Sequence, residues 1–217
     1  MKVINLGESN SSLNSYIAEI RDVRIQKDSL RFRTNLERVG FVFGYEISRQ
    51  LSYSEKEVQT PLGIASVSTF DTPLVIAAIL RAGLPLQSGL LQVFDHAQSA
   101  FLSTFRKLGK GDYFKVFADY CTCPSLEGKT LIVADPMLAT GSSMESALKK
   151  LREEGGDPAQ IHMVCPVASR YAVDQLCQKL GEGYTLWVAA IDEELTNHSY
   201  IVPGLGDAGD LAFGNKD

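Results

Sequence analysis

Positive charge is scarce in this sequence. Its 21 Lys and Arg stand against 26 Asp and Glu, for a net charge of −5, which argues against a general nucleic-acid binder with a basic face. A small anionic ligand is not excluded, because it feels a few nearby arginines and amides rather than the total. Long apolar runs are also missing. None approaches the roughly 20 residues that span a bilayer, and Met1 to Asn10 is polar, without the apolar stretch of a signal peptide. A cytoplasmic protein with no membrane partner is expected. Four cysteines and three histidines show no metal-ligand spacing. Cys121 and Cys123 have no second pair to complete a zinc site, so reduced, structural thiols and no protein-bound metal are expected. Repeats and low-complexity linkers are absent. The 217 residues therefore read as one domain, long enough to bury its core without staples.

What is present alternates. Leu74 to Leu80, Thr130 to Ala134, Ile161 to Val167 and Thr185 to Ile191 are short runs rich in Val and Ile. Continuous apolar runs of this length fit strands buried on both faces of a parallel sheet. Helical spacing falls between them, at Leu86, Leu90 and Val93, at Met144, Ala147, Leu148 and Leu151, and at Val173, Leu176, Cys177 and Leu180. The last two are stopped by Gly155-Gly156 and Gly181. An earlier amphipathic helix runs through Leu36, Val39, Phe43 and Ile47 and ends near Tyr53, ahead of a turn at Thr60-Pro61-Leu62-Gly63. The fold class is α/β, with a parallel-sheet core over about 30–191. Phe101 to Glu127 lacks a clear period and is expected to form a flap or hairpin. The tail from Asp192 to Asp217 is Gly-rich, polar and too irregular for a core element, although Tyr200-Ile201-Val202 suggests a short anchored strand. Ligands of such sheets bind at the carboxyl ends of the strands.

The strand Leu131 to Ala134 runs into Asp135-Pro136-Met137-Leu138-Ala139-Thr140-Gly141-Ser142-Ser143 and then a helix. Amides at a helix start, reinforced by the helix dipole, hold phosphate. Gly141 lets the backbone approach, and Thr140, Ser142 and Ser143 add hydroxyl donors. Asp135 would repel a phosphate but would accept hydrogen bonds from sugar hydroxyls beside it, so the pattern suggests a phosphorylated sugar. Read without that ligand, the same string is a strand-to-helix turn with a serine cap.

This segment resembles the 5-phosphoribosyl-1-pyrophosphate (PRPP) loop of type I phosphoribosyltransferases, and the string from Asp135 to Gly141 is similar to the uracil phosphoribosyltransferase branch. That branch commonly carries a second glycine where this chain has Ser142. The resemblance runs, with gaps, from about Arg33 to Gly214. It implies conversion of uracil and PRPP to UMP and pyrophosphate, with Mg²⁺ held mainly through PRPP, by a dimer or larger homo-oligomer. It assigns PRPP contacts to Arg81, Arg106, the loop 135–143 and Asp207. It places Asp207 and Arg106 closest to the chemistry, with Arg106 on the flap. In the tail, Tyr200-Ile201-Val202-Pro203-Gly204-Leu205-Gly206-Asp207-Ala208-Gly209-Asp210, it implies that main-chain groups at Ile201, Gly206, Asp207 and Ala208 pair with uracil.

The tail also matches G-x-G-x-x-G from Gly204 to Gly209. A dinucleotide site would need a helix and a further strand beyond it, and only eight residues remain. Tyr200 to Val202, Leu205 and Phe213 argue against a loose tail. Lys149, Lys150 and Arg152 fall on the polar face of a helix and read as solvated charges. The alternatives are a phosphoribosyltransferase-like regulator that binds RNA, for which no basic or aromatic stripe is present, a sister enzyme for another base, and an inactive homologue, suggested by Ser142.

Overall fold

The computed structural model describes residues 1–108 and 114–215, with the side chains of 105–108 and 114–119 left aside. The strands are β1 Lys2–Asn5, β2 Tyr53–Thr60, β3 Gly63–Phe70, β4 Leu74–Leu80, β5 Gln98–Leu108, β6 Phe114–Thr122, β7 Thr130–Ala134, β8 Met137–Leu138, β9 Gln160–Val164, β10 Val167–Ser169, β11 Tyr184–Val188, β12 Ala190–Asp192, β13 Glu194–Leu195 and β14 Ile201–Val202. The helices are α1 Ser12–Arg21, α2 Ser29–Ser48, α3 Gly83–Leu91, α4 Ser142–Gly155, α5 Arg170–Lys179 and α6 Ala208–Phe213.

The main sheet has the order β1-β11-β9-β7-β4-β5-β6, and every pairing in it is parallel except β5 with β6. Successive side chains of a strand point to opposite faces, and here each face has its own core. Ile76, Ile132, Val164 and Trp187 pack with the buried stripes of α1, α2 and α3. Val75, Val133, Met163 and Leu186 pack with those of α4 and α5. A sheet covered on both faces requires strands apolar throughout, which is why β4 and β7 match the expected runs residue for residue.

Two expected strands are each divided. Ile161 to Val167 becomes β9 and β10, and Thr185 to Ile191 becomes β11 and β12. Pro166 has no N–H to give to a ladder, and its carbonyl instead accepts from both Ala189 N and Ala190 N at 2.9 Å. Past this break the chain enters a second small parallel sheet, β12-β10-β8, at the carboxyl end of the first.

The segment expected as a flap is a β-hairpin rooted in the main sheet. β5 runs parallel to β4 from Gln98 to Ser103, with Ala100 and Leu102 buried, before turning back through β6. Cys177 is exposed rather than on the buried face of α5. The α2 helix ends at Ser48, and the Thr60–Gly63 turn joins β2 and β3 in an eight-residue register. The edge strand β1 and helix α1 had no counterpart in the sequence reading.

Candidate functional site

A cleft of about 720 Å³ opens where the main sheet gives way to the small one. Three stretches of chain build its walls.

The first is the loop after β7. Asp135 N donates to Val164 O at 3.1 Å, so the strand stays in register up to the acid. Met137 and Leu138 then pair with Val167 and Ala168. Ser169 Oγ donates to Ala139 O at 2.5 Å and accepts from Ala172 N at 3.0 Å. One serine thus caps α5 and anchors the loop. Gly141 occupies the cap position of α4 at φ 82° and offers no side chain to the helix amides. The first-turn N–H groups of α4 lack an intrahelical partner, and apart from a long 3.4 Å bond from Ser142 N to Thr140 Oγ1 they receive no side-chain cap, the arrangement an anion completes.

The second wall is the end of β4 and the adjoining part of β5, which supply Ile79, Leu80, Arg81, Ala82, Ser103 and Thr104. The third is the tail. β13 and β14 form a short antiparallel pair whose turn carries His198, Ser199 and Tyr200 into the cleft. Thr196 N donates to Tyr200 O at 2.8 Å. Hydrogen-bonded and non-bonded pairs alternate along such a ladder, so the Ile201 peptide groups face away from β13. Beyond it, Asp207 caps α6, its Oδ1 accepting from Gly209 N at 2.8 Å and from Asp210 N at 3.0 Å.

The tail is held by long-range contacts. Asp192 receives Arg21 Nη2 at 2.7 Å and Gly204 N at 2.9 Å. Arg33 Nη1 donates to Ala212 O at 2.6 Å while its guanidinium lies 5.8 Å from the Phe213 ring centre. Arg81 Nη2 meets Asp210 Oδ1 at 2.8 Å. Cations on the last carbonyls of a helix are favourably placed.

Arg81, Asp135, Met137, Leu138, Ala139, Thr140, Gly141, Ser143, Asp207 and Ala208 share the cleft. Pro136 is buried, and neither it nor Ser142 is on the lining. The Ser142 hydroxyl lies 3.1 Å from that of Thr140. Ile201 is buried and Gly206 exposed, and neither reaches the cleft wall. Arg106 falls in β5 two positions beyond Thr104, and its side chain lies outside the described residues. The sequence reading missed Ser103, Thr104, His198 and Ser199. For the last two, the only signal was a polar stretch ahead of the apolar Tyr200 to Val202 run.

Burial pushes the Asp135 carboxyl up to about 7, and a hydrogen bond from Met137 N, at 3.4 Å, opposes this only weakly. Among the described residues, Asp135 and Asp207 are the two carboxylates on the cleft wall. Among the described residues, no three His, Cys, Asp or Glu side chains gather into a metal cage. Two carboxylates suit a cation such as Mg²⁺ that brings phosphate oxygens and water as its other ligands.

A doubly wound sheet with a phosphate-type loop at its carboxyl end, covered by a C-terminal hood, defines an α/β protein built to hold a phosphorylated small molecule. The family model described as uracil phosphoribosyltransferase matches residues 8–215. A uracil phosphoribosyltransferase of Porphyromonas gingivalis is 49% identical over 216 residues, covering 100% of both chains. One of Methanothermobacter thermautotrophicus is 40% identical over 189 residues, 86% of this chain and 85% of its own. Among solved structures, the AQ2163 protein of Aquifex aeolicus superposes with a TM-score of 0.86 at 29% identity, over 98% of each chain. The chain belongs to the uracil phosphoribosyltransferase family.

Proposed function

We propose that this cleft joins uracil to PRPP. The bond from uracil N1 to the anomeric carbon forms as the bond to pyrophosphate breaks, and the N1 proton is lost. The products are UMP and pyrophosphate. The observation that carries this reading is the meeting, in one cleft, of the Asp135–Ser143 loop with the Asp207–Ala208 end of the hood, in a chain whose curated relatives carry that activity in their names.

The 5-phosphate lies on the amides at the start of α4, with Thr140 and Ser143 donating hydroxyls. Asp135 accepts from the ribose hydroxyls. Arg81 and Arg106 meet the pyrophosphate, where a planar fork of donors suits paired oxygens. Main-chain groups from Ile201 and Gly206 to Ala208 read uracil. Rigid peptides match its N3–H and two carbonyls, and cytosine would leave them unpaired, a mismatch that can cost a factor of about 10⁴. Ile201 and Gly206 adjoin the lining residues Tyr200 and Asp207, which puts their peptide groups at the edge of the cleft where the base would lie. Mg²⁺ carried on PRPP would add positive charge beside the departing pyrophosphate. The protein positions both substrates and stabilises developing charge. Asp207, on the cleft wall, is the nearest group to receive the uracil proton, through water.

The four cysteines are free, which fits a reducing, cytoplasmic setting. A homo-oligomer is supported by the β2–β3 hairpin, which stands with most of both faces exposed, Leu62 and Ile64 included. A lone two-stranded hairpin is marginal in water, and a second copy of the chain would cover it. Sedimentation as a monomer at working concentration would remove that part of the proposal.

The activity is tested by incubating the protein with PRPP, Mg²⁺ and each nucleobase in turn. UMP from uracil is expected, with little nucleotide from the other bases. Absence of UMP while PRPP demonstrably binds would reject the reading in favour of a regulator or an inactive relative.

A further inference from the structure

The guanidinium of Arg81 is held by the hood as well as facing the cleft. Nη2 donates to Asp210 Oδ1 at 2.8 Å, and Nη1 donates to the Gly214 carbonyl at 3.1 Å. Nε is buried without a partner among the described residues. The guanidinium lies close over the α6 backbone at Gly209, where a Cβ would be in ordinary contact with Nη2 at 3.4 Å and Nε at 3.7 Å. Asp207 and Asp210 are three residues apart, and so share one side of α6. The first lines the cleft, and the second grips the arginine from the opposite wall.

The two side chains of this ion pair are 34% and 31% exposed. A pair so hydrated adds little to global stability. Its location gives it another use, because it bridges the strand end that meets pyrophosphate and the hood that meets the base.

We propose that Asp210 is a positioning residue. It orients Arg81 for the pyrophosphate, and through that arginine it couples occupation of the PRPP site to closure of the hood over uracil. This rests on the cleft being the PRPP and uracil site. With one N–H each of Nη1 and Nη2 on the hood, the second N–H of each and that of Nε are left without a described partner, so the same guanidinium can hold the hood and still donate to a phosphate oxygen. A phosphate that fixes Arg81 also fixes the helix bonded to it. By linkage, PRPP then tightens uracil binding by the same factor by which uracil tightens PRPP binding.

The test is Asp210→Asn in the full chain. The variant keeps the size of the side chain and removes the charge. Two measurements are made. In the ligand-free protein, amide exchange across Ala208–Gly214 is expected to speed up while the melting temperature stays within about 2 °C of the parent. In binding experiments, the factor by which saturating PRPP tightens uracil binding is expected to shrink by about threefold to tenfold. Asp210→Glu, which keeps the charge, is expected to retain most of that coupling, and it carries the measurement if the Asn variant fails to fold. Parent-like exchange together with parent-like coupling would overturn the proposal. So would a loss of coupling in Asp210→Glu as large as in Asp210→Asn, because the charge would then not be what matters. If the parent itself makes no UMP, the substrate reading fails, and the ligand-free exchange still decides whether Asp210 holds the hood to Arg81.

Discussion

The phosphate loop and the hood face each other across one cleft, yet they are held by different means. The loop hangs between a buried strand and a helix, and its fastenings are adjacent parallel strands and one serine hydroxyl, Ser169. The hood has little regular structure. It is fastened by single side chains from far along the sequence: Arg21 to Asp192, Arg33 to Ala212 O, and Arg81 to Asp210. The loop is thus part of the cooperative core, whereas the hood reaches that core through a few side chains, Ile201, Leu205, Ala208 and Ala212, and otherwise depends on part-buried polar contacts, so its opening is expected to cost less than unfolding the core. A site that must admit PRPP, then a base, and then release both products benefits from one fixed wall and one movable wall.

Two glycines put that contrast to the test. Gly204 sits in the hood at φ 54°, and a Cβ there would lie 2.1 Å from the Ile201 carbonyl. The backbone would have to move. Gly204→Ala is expected to lower kcat/KM for uracil by about 100-fold or more, while PRPP binding without uracil changes less than about threefold. Gly141 sits in the loop at φ 82°, but the nearest atom to its Cβ is Leu176 Cγ at an ordinary 3.6 Å. Only the left-handed conformation opposes Gly141→Ala, at about 1–2 kcal/mol. The free loop would relax and PRPP would have to restore it, so PRPP affinity is expected to fall about tenfold with the fold intact. Calorimetric titration of PRPP and steady-state kinetics check both variants. If Gly204→Ala weakened PRPP as strongly as uracil, the two walls would be one unit and the contrast would be lost.

The same division governs what the sequence reveals. β4 and β7 are legible to the residue because burial on both faces demands an unbroken apolar run. The phosphate loop is legible because its determinants, Asp135 through Ser143, are contiguous. The β9–β10 and β11–β12 divisions are not, since Val and Ile continue on both sides of each step and only Pro166 marks the first. β2 and β3 escape because an exposed hairpin imposes no hydrophobic period. The hood was found through a resemblance to known sequences, not through its own pattern. Nothing near Asp210 announces a partner 129 positions away, or near Asp192 one 171 positions away.

The smallest expected effect sharpens the comparison from the side of the fixed wall. Burial raises the Asp135 carboxyl to about 7, so it is substantially protonated below neutral pH in the free protein. Ribose hydroxyls and a cation both favour its ionised form. Binding of PRPP should therefore release a proton, and affinity should rise with pH up to about 7 and level off above it, by at most about tenfold per pH unit. PRPP has titrating phosphates of its own, so the diagnostic quantity is the difference from Asp135→Asn, in which this component vanishes. Stability offers a second readout of opposite sign. The folded carboxyl holds its proton more tightly than the unfolded one between the ordinary value of 3.8 and about 7. The parent should accordingly lose stability relative to Asp135→Asn as pH rises through that window. Gly204→Ala, which disturbs only the hood, should keep the full pH dependence of PRPP binding. Its disappearance there would mean that the hood, and not the loop, sets the environment of Asp135.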